Sequence, residues 1–95
     1  MYARLVRFSF GTGQPDKAQA LADELVPLIS SQPGCQRVAV FGDESDGECG
    51  IFVLWDTRDE ADAAAEVVRP KLNEHLAGNV QAPPDARLFK VHATK

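Results

Sequence analysis

His75 and His92 are the side chains of this 95-residue chain whose ordinary pKa, about 6.5, lets them exchange a proton near neutral pH. His75 stands beside Leu72 and Leu76, late in a helical pattern, so its ring can turn towards an apolar interior. It is the candidate general base. A histidine near a helix C-terminus is also favoured by the helix dipole, and that structural role stays open. His92 falls in the last strand-like run, near the terminus, where side chains are usually solvated. Arg4 and Arg7 interrupt an otherwise apolar run. A guanidinium there needs a partner, unless its stem carries the head out to water. In an extended chain the two point to opposite faces. One therefore looks towards a pocket and the other towards an interface. Trp55 ends a second apolar run and offers an aromatic wall, with Val6 and Phe8 on the Arg4 face as further lining. Trp55 serves equally well as core.

These side chains need elements to hold them, and the hydrophobic period marks where the elements change. Residues 2–10 alternate as a strand, with Tyr2, Arg4, Val6, Phe8 and Phe10 on one face. Gly11-Thr12-Gly13 breaks it, and Pro15 suits a first helical turn. Ala18, Leu21, Ala22, Leu25, Leu28 and Ile29 then form a helical stripe. Pro27 should bend that helix, and Pro33-Gly34 ends it. Residues 35–42 alternate again. Asp46-Gly47 is a favoured hairpin dipeptide. Gly50–Trp55 is nearly all apolar, as expected of a central strand covered on both faces. Thr57 with Glu60 matches a capping box. The following helix carries Ala61, Ala64, Ala65, Val68, Leu72 and Leu76, and Pro70 is expected to split it. Residues 86–93 form the last strand.

The order is βαββαβ, one domain over residues 1–95. The economical packing is a ferredoxin-like α+β fold, an antiparallel sheet with both helices on one face. Strands one and three carry apolar residues on both faces. The uncovered face calls for a partner, and a second copy of the chain is the simplest.

Charge and spacing exclude several functions. Ten Lys and Arg against fourteen Asp and Glu give a net charge of −4, and the densest charge is acidic, from Asp43 to Asp62. A nucleic acid or an anionic membrane surface is therefore not an expected partner. An RNA-recognition domain shares the element order. Here, though, Glu48 falls where its basic residue belongs and Gly50 where a stacking aromatic belongs. Asp43, Asp46 and Glu48 lack the alternation and distal Glu of a calcium loop. No Cys–His pair has metal-ligand spacing, and no phosphate-binding glycine loop or nucleophile elbow occurs. No metal or other cofactor is expected. If Asp46-Gly47 forms a two-residue turn, Glu44 faces Cys49 and Cys35 lies about 30 Å away at ~3.3 Å per residue. A disulfide needs Cα atoms within roughly 7 Å. Both thiols are expected free, which suits a cytoplasmic home. No apolar run reaches the ~18 residues of a membrane span, and no signal peptide is read at the N-terminus.

The chain resembles the antibiotic biosynthesis monooxygenase family of the dimeric α+β barrel superfamily. Pro33-Gly34-Cys35, Leu54-Trp55-Asp56-Thr57, Arg58-Asp59-Glu60-Ala61 and Leu88-Phe89-Lys90-Val91 carry the resemblance. It implies a homodimer, and oxygenation of an aromatic polycyclic or quinol-type substrate without metal, haem or flavin. A base removes an acidic proton, the carbanion reduces dioxygen, and the radicals recombine. His75 would then be the base, with Arg4 or Arg7 stabilising the enolate. A haem-degrading branch of the superfamily has an Asn, a Trp and a His in place. Here Val6 and Ala64 fall at the first two positions and only His75 fits the third, so haem degradation is not expected. The competing reading is a non-catalytic dimeric barrel that binds a small hydrophobic or aromatic ligand. A pocket holding an Arg or His head favours the enzyme, and a fully packed space favours the alternative.

Overall fold

The computed structural model describes residues 1–80 and 83–95. Its elements are β1 (Tyr2–Ser9), α1 (Pro15–Ser30), β2 (Cys35–Asp43), β3 (Glu48–Trp55), α2 (Arg58–Leu76) and β4 (Asp85–Lys90). The strands form one sheet in the order β2-β3-β1-β4, with every neighbouring pair antiparallel. This is the ferredoxin-like α+β arrangement expected from the period changes.

The core lies between the sheet and the two helices. Val6 and Phe8 of β1 and Cys49, Ile51, Val53 and Trp55 of β3 meet Leu21, Leu25 and Ile29 of α1. Ala61, Ala64, Leu72 and Leu76 of α2 close the same cluster. Spacings of three, four and eight residues put each helical set on one stripe. The Thr57 side chain caps α2 by accepting from the Glu60 backbone N–H at 3.1 Å and donating to the Glu60 carboxylate at 3.0 Å. The hydroxyl makes its half of the expected capping box, while the Glu60 carboxylate takes the Thr57 hydroxyl in place of a backbone N–H.

The opposite sheet face has no covering element among the described residues. Leu5 lies between Phe52 and Arg87, and Ala3 between Leu54 and Phe89. Phe41 and Phe89 are exposed large apolar side chains on this face.

Three expectations change. The helix from Arg58 to Leu76 is continuous through Pro70. Proline removes one N–H, but Pro70 and Glu66 are exposed, so water can satisfy the carbonyl left without its donor. The β2–β3 turn holds four residues, because Asp43 pairs with Glu48 and Gly42 with Cys49. The Asp43 carboxylate accepts from the Ser45 N–H at 2.9 Å and hydroxyl at 2.6 Å, while the Gly47 N–H donates to the Asp43 carbonyl at 2.8 Å. These local bonds outweigh the two-residue turn. The shift is two positions, so the β2 side chains from Arg37 to Asp43 keep their faces, while a bulge between Cys35 and Arg37 turns Cys35 to the core side. Finally, β4 stops at Lys90, and His92 is exposed beyond it.

Candidate functional site

α2 carries alanine where it faces the middle of the sheet, and small side chains there leave space. Ala61, Ala64, Ala65, Val68, Arg69 and Leu72 form one wall of a cavity. Arg4 and Val6 of β1, Ile51, Val53 and Trp55 of β3, Ala86 of β4 and Ile29 of α1 complete it. The cavity measures about 100 Å³ and opens to solvent on one side.

Arg4 and Arg69 supply its charge. Among its lining residues there is no carboxylate, imidazole or hydroxyl. The Arg4 side chain is only 22% exposed, and its Nη2 donates to Asp62 at 3.2 Å. Asp62 is shared with Arg58 at 4.0 Å. Among the described residues this is the Arg4 side chain's one hydrogen bond, from a group with five donors. The guanidinium thus retains donors for a ligand.

The structure brings Arg4, Val6 and Trp55 together in this cavity. It does not bring the other expected residues there. Phe8 shares the core layer but packs edge-on against Phe10, with ring centroids 5.3 Å apart. Arg7 lies on the uncovered face, because it alternates with Arg4 along an odd number of residues. There it pairs with Glu48, whose hydrogen bond and charge raise the arginine pKa. His75 sits in the seam between the helices, its Nε2 3.3 Å from Glu24 of α1. Leu72 and Leu76 turn inward on neighbouring positions, and the imidazole one step round the helix meets α1 instead of the sheet.

Arg69 and Ala86 escaped the sequence reading, which takes Ala65 and Asp62 only as helix stripe and acidic surface. A signal for the cavity existed: Ala61, Ala64 and Ala65 fall on the core stripe of α2 opposite Trp55, where larger residues would fill the layer. Arg69 stands four residues after Ala65 and so shares its face.

Cys35 and Cys49 are free. Burial pushes both thiols up, reinforced at Cys49 by Asp46 and Glu48. Neither is poised as a thiolate nucleophile at neutral pH. Among the described residues no group of three or more His, Cys, Asp or Glu side chains could hold a metal ion. Among the described residues no helix is long and apolar enough to cross a membrane.

A four-stranded antiparallel sheet with both helices on one face defines a class of small α+β proteins, and solved structures share that fold nearly end to end. SnoaB, a cofactor-independent oxygenase from Streptomyces nogalater, superposes with a TM-score of 0.71 at 18% identity, over 98% of this chain and 94% of that one. Rv0793 from Mycobacterium tuberculosis gives 0.75 at 18% identity, over 98% and 96%. A structure described as an antibiotic biosynthesis monooxygenase gives 0.73 at 19% identity, over 98% and 100%. The chain has the fold of the antibiotic biosynthesis monooxygenase proteins. At these identities the likeness is one of fold. No family model matches the chain, and no curated protein does.

Proposed function

We propose that residues 1–95 form one antibiotic biosynthesis monooxygenase-like domain, a cofactor-independent oxygenase of a quinol-type aromatic. The observation that carries this reading is the partly buried Arg4 guanidinium beside Trp55 in an open cavity whose other lining, Arg69 apart, is apolar. The shared fold with an oxygenase that uses no cofactor supports it.

Arg4 stands where the cavity's one deeply set charge is, so it faces the substrate oxygen that ionises. A phenol titrates near 10, and an adjacent cation lowers such a group by about 1–3 units. The proton then leaves to water at the cavity mouth, and no side-chain base is required. The resulting carbanion or enolate gives one electron to dioxygen. Carbon radical and superoxide join in a C–O bond. The peroxide anion so formed takes a proton, and the hydroperoxide loses water as its O–O bond and the C–H on the same carbon break, leaving a carbonyl. The apolar walls keep competing protons away from the anion.

Oxygen uptake with a hydroquinone substrate tests this. Arg4→Gln should lower the rate by about 10²–10³, the usual effect of removing an oxyanion-stabilising donor. Undiminished uptake by that variant would overturn the assignment. A parent protein that consumes no oxygen but binds such aromatics would establish the non-catalytic, ligand-binding reading. The lack of any acid–base side chain besides arginine in the lining favours that second reading.

The uncovered sheet face supports a homodimer. Its apolar centre (Ala3, Leu5, Ala39, Phe52, Leu54) is bordered by charges of both signs, Arg7, Arg87, Glu48 and Asp85. Mixed borders can complement themselves across a two-fold axis. A stable monomer of 10.3 kDa in light scattering would remove this proposal. Free cysteines suit a reducing compartment, which supports cytoplasmic residence.

A further inference from the structure

The cavity holds information about its ligand beyond the reacting oxygen. Three features combine.

Size is the first. About 100 Å³ is well below the roughly 300–1,000 Å³ of common small-molecule pockets. A buried apolar cavity of roughly 150 Å³ holds benzene. One ring, protruding slightly through the open side, matches this space. Two or three fused rings do not.

Charge is the second. The chain is acidic, with a net charge of −4, yet the cavity mouth is not. Arg4 and Arg69 are the cavity's charged lining and no acidic side chain lines it. Asp62 and Glu66 pair with them from outside the lining, Asp62 also with Arg58, which leaves these three arginines one positive charge over. A single excess cation can neutralise a monoanion, whereas a dianionic phosphate would leave a second charge uncompensated in an apolar cleft.

Depth is the third. Arg4 is 22% exposed and Arg69 62%. Arg69 reaches its one acidic neighbour, Glu66, at only 3.9 Å, with both side chains largely in water. Such a pair is weakly held, so the Arg69 fork can turn to a ligand. Arg4 belongs to the inner end of the cavity and Arg69 to its rim.

We infer that the cavity takes a single-ring aromatic acid, with the ring against Trp55 and its carboxylate held at the mouth by Arg69. Arg69 is then the specificity-determining residue, while Arg4 keeps the inner, reacting oxygen. A carboxylate is ionised at neutral pH and matches a guanidinium fork with two parallel hydrogen bonds. The inference rests on the cavity being the ligand site, and it narrows the quinol-type substrate to a one-ring acid.

Trp55 is the chain's one tryptophan and lines the cavity, so its fluorescence reports occupancy. The probes are benzoate and its neutral methyl ester, titrated into the full chain. Benzoate should bind at least about tenfold tighter than the ester, the scale of one charge-assisted hydrogen bond. Arg69→Gln should abolish that preference, and a far-UV circular dichroism spectrum like the parent's shows that the variant is folded. Arg69→Lys should restore part of the preference, and added salt should weaken it in the parent. Equal binding of acid and ester by the parent, or a preference that survives Arg69→Gln, overturns the inference while leaving the cavity as the ligand site. Failure of both probes to change Trp55 fluorescence overturns the cavity assignment itself, and the inference with it.

Discussion

The Glu60 carboxylate fills the space that a Cβ on Gly34 would occupy. Gly34 has φ 84°, in the left-handed region, and its carbonyl accepts from the Asp56 N–H at 2.9 Å. Glu60 is held in turn by the Thr57 hydroxyl. The loop that begins β2 and the cap that begins α2 therefore close on each other, beside the end of β3 that carries Trp55.

Gly34→Ala should destabilise the protein by about 1–3 kcal/mol. Left-handed strain contributes roughly 1–2 kcal/mol, and dislodging Glu60 from the cap adds up to ~1 kcal/mol. Urea unfolding at fixed protein concentration measures it. Gly13→Ala is the control, because its φ is 77° with nothing within 4 Å of the added carbon, so it should show the strain alone.

Pro70→Ala should stabilise the protein by about 2–3 kcal/mol. Proline in a helix interior costs ~3 kcal/mol relative to alanine, partly offset by the stiffer unfolded chain, worth up to ~1 kcal/mol. Pro70 is exposed, so no packing is lost. An unchanged urea midpoint would show that α2 has already relaxed around the missing donor.

Ala65→Leu should lower ligand binding and oxygen uptake together while the melting temperature holds. The half-buried Ala65 lines the cavity, so three further carbons enter empty space. His75→Gln should leave uptake within about threefold, far from the 10²–10⁴ of a lost general base, because His75 lies against Glu24. A larger fall would make His75 the base.

Cys49 should resist alkylation at neutral pH and react only on unfolding. Its folded pKa is raised by burial, then by Asp46 and Glu48. The group therefore contributes stability that is fully present below its unfolded pKa, about 8.5. That contribution is lost as pH rises through the folded value. Chemical denaturation between pH 8 and 10.5 should show stability falling in the parent and falling less in Cys49→Ala. Parallel slopes would place the alkaline sensitivity elsewhere.

Gly50→Ala should weaken self-association. Gly50 pairs with Phe41 on the uncovered face, and the Phe41 ring lies over the missing side chain. An added carbon lifts that ring off the sheet and spoils the surface offered to a second copy. Sedimentation over a concentration series should show dissociation at higher concentration than in the parent.

Element order was legible because it rests on local physics. Alternation in Tyr2–Phe10, the helical stripe from Ala18 to Ile29 and the Thr57–Glu60 cap each depend on residues a few positions apart. Apolar residues on both faces of β1 and β3 identified the central strands for the same reason. Alternation also placed Arg4 and Arg7 on opposite faces, though not which face each took. The helix through Pro70 and the four-residue turn after Asp43 were less legible, because competing local bonds of similar strength decide them.

By itself, the sequence determined the ferredoxin-like order, the two-faced central strands, the acidic balance and the free thiols. Tertiary structure decided which charges share a site. Arg4 meets Asp62 across 58 positions, His75 meets Glu24 across 51, and Glu60 meets Gly34 across a loop, a strand pair and a cap. Such meetings depend on how α2 lies over the sheet. That rotation follows from the summed packing of Ala61, Ala64, Leu72 and Leu76 against Val53 and Trp55. No short stretch of chain encodes it: a turn of one residue in α2 would exchange His75 for a core side chain at almost no change in local propensity.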